Sequence, residues 1–279
     1  MERVTGDTLT AEVVSRLEAT PEPRLRAIMI ALVRHLHAFA QEVRLTDDEW
    51  FTAIQFLTET GQMCDDVRQE FILLSDTLGL SSLVDLINHS DVDSTTTEPT
   101  LLGPFYVPGS PEREFSASMV EYDDGGEPAV LRGTVRDESG VPLDGAIIDV
   151  WQTASTGLYA VQEPDVQGAT NLRGIYRTDG RGRYEIRTVR PVPYPIPHDG
   201  PVGRLLAKTG RHPWRAAHIH AKVSATGFET LTTHLFDRES RYLDSDTVFG
   251  VKESLIKDFA RGADETLLCE HDFVLRREP

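Results

Sequence analysis

Cysteine is almost absent from this chain: Cys64 and Cys269 are the only two among 279 residues. They lie far apart, so no CxxC metal motif and no disulfide framework can be read, and this usage fits a reducing cytoplasm. Basic side chains are also scarce, with 28 Lys and Arg against 45 Asp and Glu and a net charge of −17. Such a surface repels phosphate backbones and argues against a nucleic-acid partner. No apolar run approaches the ~18 residues that a membrane span needs, and Met1 to Asp7 lacks the apolar stretch of an export signal. The expectation is a cytoplasmic protein with no membrane insertion. What the chain does have is an ordinary globular balance, 39% hydrophobic and 26% charged, at a length that favours two domains.

Residues 1 to about 90 read as helices. Leu25, Ile28, Leu32, Leu36, Phe39 and Val43 recur every three or four positions and form one apolar stripe, which serves either an internal core or a subunit interface. Pro21 and Pro23 open that helix, where a missing N–H costs little. Thr46-Asp47-Asp48-Glu49 is a capping-box pattern that starts the next helix, with Trp50, Ile54 and Leu57. A third helix is expected from about Cys64 to Leu78, stopping at Gly79, and a fourth carries Leu83, Val84, Leu86 and Ile87. The polar stretch from Asp91 to Pro99 is the natural linker. Beyond it come short alternating or β-branched runs divided by turn signals: Val130–Arg136, Ala146–Trp151, Tyr184–Val189, Ala217–Val223 and Leu231–Phe236. These predict an α+β chain, an N-terminal helical domain over 1–97 followed by an antiparallel β-sandwich over 98–279. One late helix, about Val251 to Ala260, and a last strand near Leu267–Leu275 complete the expectation.

His218 and His220 stand two apart in the run His-Ile-His-Ala-Lys-Val-Ser, which reads as a strand. Alternation puts both imidazoles on one face with Ile219 opposed, and a half-buried face is a costly place for two unpaired imidazoles. They are half of a metal site, or two histidines satisfied by core hydrogen bonds. The remaining histidines have plainer contexts: His35 and His37 on the long helix, His89, His198, His212 and His271 in turn-like or polar segments. Tyr159 follows a strand that ends at Trp151 and runs into a glycine-containing loop. Tyr194 lies among Pro191, Pro193, Pro195 and Pro197, which fix φ and stiffen the loop around it. Either tyrosine by itself is most simply a packing residue, yet rigid loops over a sandwich are where function often sits.

Taken in order, these segments resemble the intradiol ring-cleaving dioxygenases, most closely the branch that acts on hydroxyquinol. The likeness runs from Leu102-Gly103-Pro104-Phe105 through Asp149-Val150-Trp151-Gln152, Tyr159 and Tyr194-Pro195-Ile196-Pro197. It continues through Gly210 to Arg215 and His218-Ile219-His220 to the segment Tyr242 to Gly250. Ala216 departs from the proline that relatives commonly place before the histidines, and it leaves the ligands in place.

The resemblance implies that Tyr159, Tyr194, His218 and His220 hold one non-haem Fe(III) per chain. Ferric iron is hard and favours anionic oxygen, and a bound cation reverses the ordinary preference of a phenol for its proton. It further implies that Tyr194 leaves the metal to act as a base and that Arg215 stabilises negative charge developing on the ring. The implied substrate pocket comprises Leu73, Asp76, Leu102, Gly103, Pro104, Phe105, Ile196, Pro197 and Val248. Asp76 would accept a hydrogen bond from a third hydroxyl that catechol lacks. His234, where catechol-cleaving relatives tend to have glutamine, is a neighbour of the site and not a ligand. The implied partners are a small aromatic diol or triol, dioxygen, a second copy bound through the helical domain, and a phospholipid in a tunnel there. Competing readings are cleavage of catechol or a chlorocatechol, or a zinc-holding or metal-free β-sandwich binding module.

Overall fold

A computed structural model of the chain describes residues 5–65, 68–89, 95–262 and 265–278. It comprises two compact units divided between Glu59 and Thr60. The first contains α1 (Gly6–Leu17), α2 (Pro23–Glu42) and most of α3 (Asp47–Gln62). Each helix start is satisfied locally. Thr5 and Thr8 cap α1 reciprocally, the Glu22 carboxylate accepts from the first N–H groups of α2, and Thr46 exchanges hydrogen bonds with Glu49 at α3. The α2 stripe from Leu25 to Val43 is exposed along its length, so it is not this unit's core.

The second unit begins with α4 (Glu70–Thr77) and α5 (Leu80–Asn88). The expected helix from Cys64 starts late because Asp65 accepts the Arg68 N–H at 2.6 Å and its own N–H bonds the Arg68 carbonyl, a local turn that competes with helix; 66–67 lie outside the described residues. Gly79, at φ +74°, ends α4 as expected. Of the polar linker, 91–94 lie outside the described residues. By Thr97 and Thr100 the chain already bonds Val274 and Thr232, so its end is docked onto the sheets.

The strands are β1 (Pro128–Asp137), β2 (Ile147–Trp151), β3 (Arg173–Arg177), β4 (Arg183–Val189), β5 (Tyr194–Pro195), β6 (Trp214–Arg215), β7 (His218–Ser224), β8 (Leu231–Asp237), β9 (Ile256–Lys257), β10 (Ala260–Arg261), β11 (Leu267–Glu270) and β12 (Phe273–Leu275). Two short helices, α6 (Pro164–Gln167) and α7 (Pro201–Lys208), interrupt them. One sheet places β4 on one side of β1 and β11 and β12 on the other, with β10 at the edge. The second runs β3-β2-β7-β8-β9. Most pairs are antiparallel, but β11 and β12 lie parallel to β1, and β9 lies parallel to β8. Between the sheets lie Leu131, Val135, Tyr184 and Ile186 from one and Ile148, Val150, Ile219, Ala221, Val223 and Leu235 from the other. Burying each large apolar side chain contributes roughly 1.5–3 kcal/mol, which makes this layer the main source of the unit's stability.

The helix expected over 251–260 is not formed. A single 3-10 turn, Glu253–Leu255, is followed by β9 and β10. Leu255 is buried against Ala216 and Phe236, and Ile256 takes the register position beside Phe236. Pairing with an open sheet edge satisfies more backbone and apolar surface than one isolated helical turn, so tertiary context overrides the apolar spacing.

Candidate metal centre and substrate cleft

β7 is buried on both faces. Ile219, Ala221 and Val223 enter the core, while His218 and His220 point to the opposite face, as the alternation predicts. Strand register supplies their surroundings. Trp151 of β2 pairs with His220 and stacks on its ring at 4.6 Å, and β8 places His234 opposite His220 and Phe236 opposite His218. The proline loop forms β5, whose pairing with β6 sets Tyr194 directly beside Arg215. Tyr159 follows a turn closed from Gly157 N–H to the Ala154 carbonyl, and Gly157 adopts φ +82°.

Four donor atoms from these segments close a ring. Tyr159 Oη lies 3.0 Å from Tyr194 Oη and 3.0 Å from His220 Nε2, His218 Nε2 lies 3.2 Å from His220 Nε2, and Tyr194 Oη lies 3.5 Å from His218 Nε2. All four residues are at most 4% exposed. His218 Nδ1 bonds the Ala216 carbonyl at 2.6 Å, which places its proton there and leaves Nε2 as an acceptor on the ring. Burial, then the Arg215 charge, pushes the His218 pKa far down. Burial and its imidazole neighbour do the same for His220, so both rings are neutral. Burial and Tyr194 hold the Tyr159 phenol protonated, a preference that a bound cation reverses.

The donor set fits a metal ion. Atoms held ~2.0–2.2 Å from one ion stand about 2.8–3.6 Å apart, which matches the ring. His234 lies close by, and candidate ligand atoms of His218, His220 and His234 all fall within 4.8 Å. Its Nδ1 is tied to the Thr100 hydroxyl and its Nε2 has no hydrogen-bond partner, so it stands outside the closed ring.

Arg215 is buried, which opposes its charge, but the Asp246 carboxylate and the two tyrosines more than offset this and raise its pKa. Its Nη1 reaches His218 Nε2 at 3.2 Å and Tyr194 Oη at 3.4 Å. Asp246, whose role the sequence reading did not single out, makes the ion pair at 3.3 Å. No local sequence signal distinguishes it from its acidic neighbour Asp244.

A cleft of about 510 Å³ is bordered by Leu73, Pro104, Phe105, Leu158, Ile196 and Pro197, with Arg68, His198 and Asp199 among its polar walls. Phe105 stacks on Tyr159 at 4.8 Å, so the cleft abuts the donor ring. Gly103 lies against His220, where a Cβ would stand 3.3 Å from Cε1. Val248 is buried in one cluster with Leu73 and Ile196. Leu102 is exposed. Asp76 is buried, does not border this cleft, and has its carboxyl pKa raised chiefly by burial, with Ser81 and Arg215 acting against that.

Comparison with known proteins accords with this arrangement. Residues 101–277 match a family described as Dioxygenase, and residues 22–96 match Catechol dioxygenase N terminus. The chain is 50% identical to 6-chlorohydroxyquinol 1,2-dioxygenase of Cupriavidus pinatubonensis over 267 residues, with 96% of each chain covered. It is 48% identical to hydroxyquinol 1,2-dioxygenase of a Rhizobium species over 277 residues, covering 95% of this chain and 93% of that one. The crystal structure of hydroxyquinol 1,2-dioxygenase from Pseudomonas putida superposes with a TM-score of 0.92 at 47% identity, covering 98% of this chain and 99% of that chain. The chain therefore belongs to the intradiol ring-cleavage dioxygenases.

Proposed function

We propose that this chain is an iron(III) intradiol dioxygenase that cleaves hydroxyquinol (benzene-1,2,4-triol) with dioxygen to give maleylacetate, first as its enol 3-hydroxy-cis,cis-muconate. The observation that carries the reading is the closed ring of two phenol oxygens and two imidazole nitrogens at 3.0–3.5 Å, in a chain about half identical to hydroxyquinol enzymes. Tyr159, Tyr194, His218 and His220 would hold one ferric ion, which when bound supplies a hard Lewis acid for adjacent phenolic oxygens and a redox partner for dioxygen.

The protein's own groups divide the remaining work. Tyr194 Oη is the proton acceptor for one substrate hydroxyl, and Arg215 Nη1, 3.4 Å away, favours its anionic form. The same guanidinium, fixed before substrate arrives, meets negative charge that develops on the ring. Leu73, Pro104, Phe105, Ile196 and Pro197 give the planar substrate an apolar slot and exclude water, while Gly103 beside His220, Val248 behind Leu73 and the exposed Leu102 stay outside that lining and are proposed as its surroundings. Asp76, on the same helix as Leu73 though not on the wall of this cleft, is the acceptor proposed for the third hydroxyl.

The reading also takes 1–97 as the dimerisation domain and 98–279 as the catalytic domain of a cytoplasmic homodimer with a phospholipid tunnel. The exposed α2 stripe supports it, and among the described residues no helix is long and apolar enough to cross a membrane. Sedimentation and mass spectrometry of extracted lipid check those points. Steady-state rates on hydroxyquinol, catechol and a chlorocatechol test the substrate, and a clear preference for catechol rejects it. Ferric tyrosinate absorbs visible light, so a colourless preparation that stays inactive after iron loading would reject the metal and favour a zinc-holding or empty binding module.

A further inference from the structure

Asp246 ties two backbone segments and one side chain together directly beside Tyr194. Its Oδ1 accepts from Arg215 Nε at 3.3 Å and from the Ala216 N–H at 3.0 Å, and its Oδ2 accepts from the Gly250 N–H at 3.0 Å. Both charged side chains are at most 5% exposed. A buried ion pair built for stability uses the guanidinium fork in two parallel bonds. Here the carboxylate engages Nε alone, Nη1 reaches Tyr194 and His218, and Nη2 is buried without a partner. Residue 250 leaves that terminus room by lacking a side chain: a Cβ there would stand 3.0 Å from Nη2, close enough to push it by a few tenths of an ångström, and 3.4 Å from Asp246 Oδ2. Gly250 is not in the left-handed region, so its backbone does not require glycine, and the tightest contact a side chain there would meet is the guanidinium.

We propose that Asp246 is a positioning residue that holds Arg215 by its Nε so that Nη1 stays on Tyr194 and His218, where charge on the reacting substrate develops, with Gly250 leaving room for the unpartnered Nη2. The proposal rests on the reading of Arg215 as the group that meets this charge. Two carboxylate oxygens are fully occupied in doing so, one on the arginine and its neighbouring amide, the other on the loop at 250.

The test uses the iron-loaded full chain in five forms: wild type, Asp246→Asn, Gly250→Ala, Arg215→Met and the Asp246→Asn/Arg215→Met double variant. Each is measured for kcat and KM on hydroxyquinol, iron per chain and the visible band. Displacing a fixed group by about 1 Å costs on the order of 100-fold, so Asp246→Asn, which releases the guanidinium, should lower kcat ~10–100-fold, and Gly250→Ala, which pushes Nη2 by a few tenths of an ångström, should lower it ~3–10-fold. Iron content, visible band and KM should stay near wild type. Because Asp246 acts through Arg215, its replacement should cost less than ~3-fold in the Arg215→Met background. Equal losses in both backgrounds, losses that follow iron content, or wild-type kcat in Asp246→Asn would each overturn the proposal. Should Asp246→Asn fail to fold, Gly250→Ala decides alone: reduced kcat at full iron supports positioning, and full kcat overturns it. Wild-type kcat in Arg215→Met would instead overturn the underlying reading of Arg215 and this proposal with it.

Discussion

Replacing Tyr194 with phenylalanine removes one oxygen from the donor ring and separates holding the metal from moving a proton. The ring keeps its packing, since it meets Tyr159 edge to face at 5.5 Å and is 4% exposed. Losing the hydroxyl forfeits contacts to Tyr159, His218 and Arg215, worth roughly 1 kcal/mol net to folding, so the variant should fold. Tyr159, His218 and His220 remain around the centre, and with excess iron the site should still fill. Turnover should fall much further, because a positioned base contributes about 10²–10⁴-fold. That is about 3–5 kcal/mol of barrier at ~1.4 kcal/mol per decade. Iron per chain by elemental analysis, set against kcat on hydroxyquinol, separates the two effects. Equal fractional losses of iron and turnover would refute the base and leave Tyr194 a ligand only.

Further outcomes follow from single residues. Gly103→Ala places a Cβ 3.3 Å from the ring of His220, at φ +76°, where an L residue costs ~1–2 kcal/mol. Its melting temperature should drop by ~2–8 °C and its iron should be lost faster to a chelator, and an unchanged melt and iron retention would contradict the geometry. Burial pushes the His271 pKa down to about 3, from 6.5 unfolded. The unfolded chain then binds the extra proton first, so this histidine's contribution is complete above pH 6.5 and is lost as pH falls toward 3, to a ceiling of about 5 kcal/mol. His271→Leu should flatten that limb of the stability–pH curve, and an unchanged slope would show that other groups produce it.

The helical half and the sandwich strands were legible because periodicity and turn chemistry are local: the Thr46–Glu49 cap, the Gly79 stop and the same-face histidines need only a few neighbouring residues. The segment 251–260 was misread for the same reason. Its apolar spacing suits a helix, and only the open edge beside Phe236 makes Ile256 a strand residue. Asp246 was invisible because its meaning depends on Arg215, 31 positions earlier in the chain.

Residue types by themselves determined what this protein can hold: two tyrosines, one caged by prolines, with two alternating histidines, are hard oxygen and nitrogen donors. Tertiary structure alone decided that they meet. β7 brings the histidines, the β5–β6 pairing brings Tyr194 beside Arg215, and the loop after β2 brings Tyr159. Those contacts span 21 to 61 residues, and no local rule encodes them. Only packing of the loops that carry Phe105, Tyr159 and Tyr194 over the outer face of β2 and β7 gives the neutral imidazoles and the buried guanidinium one low-dielectric site, where fixed charges act strongly on a reacting ring.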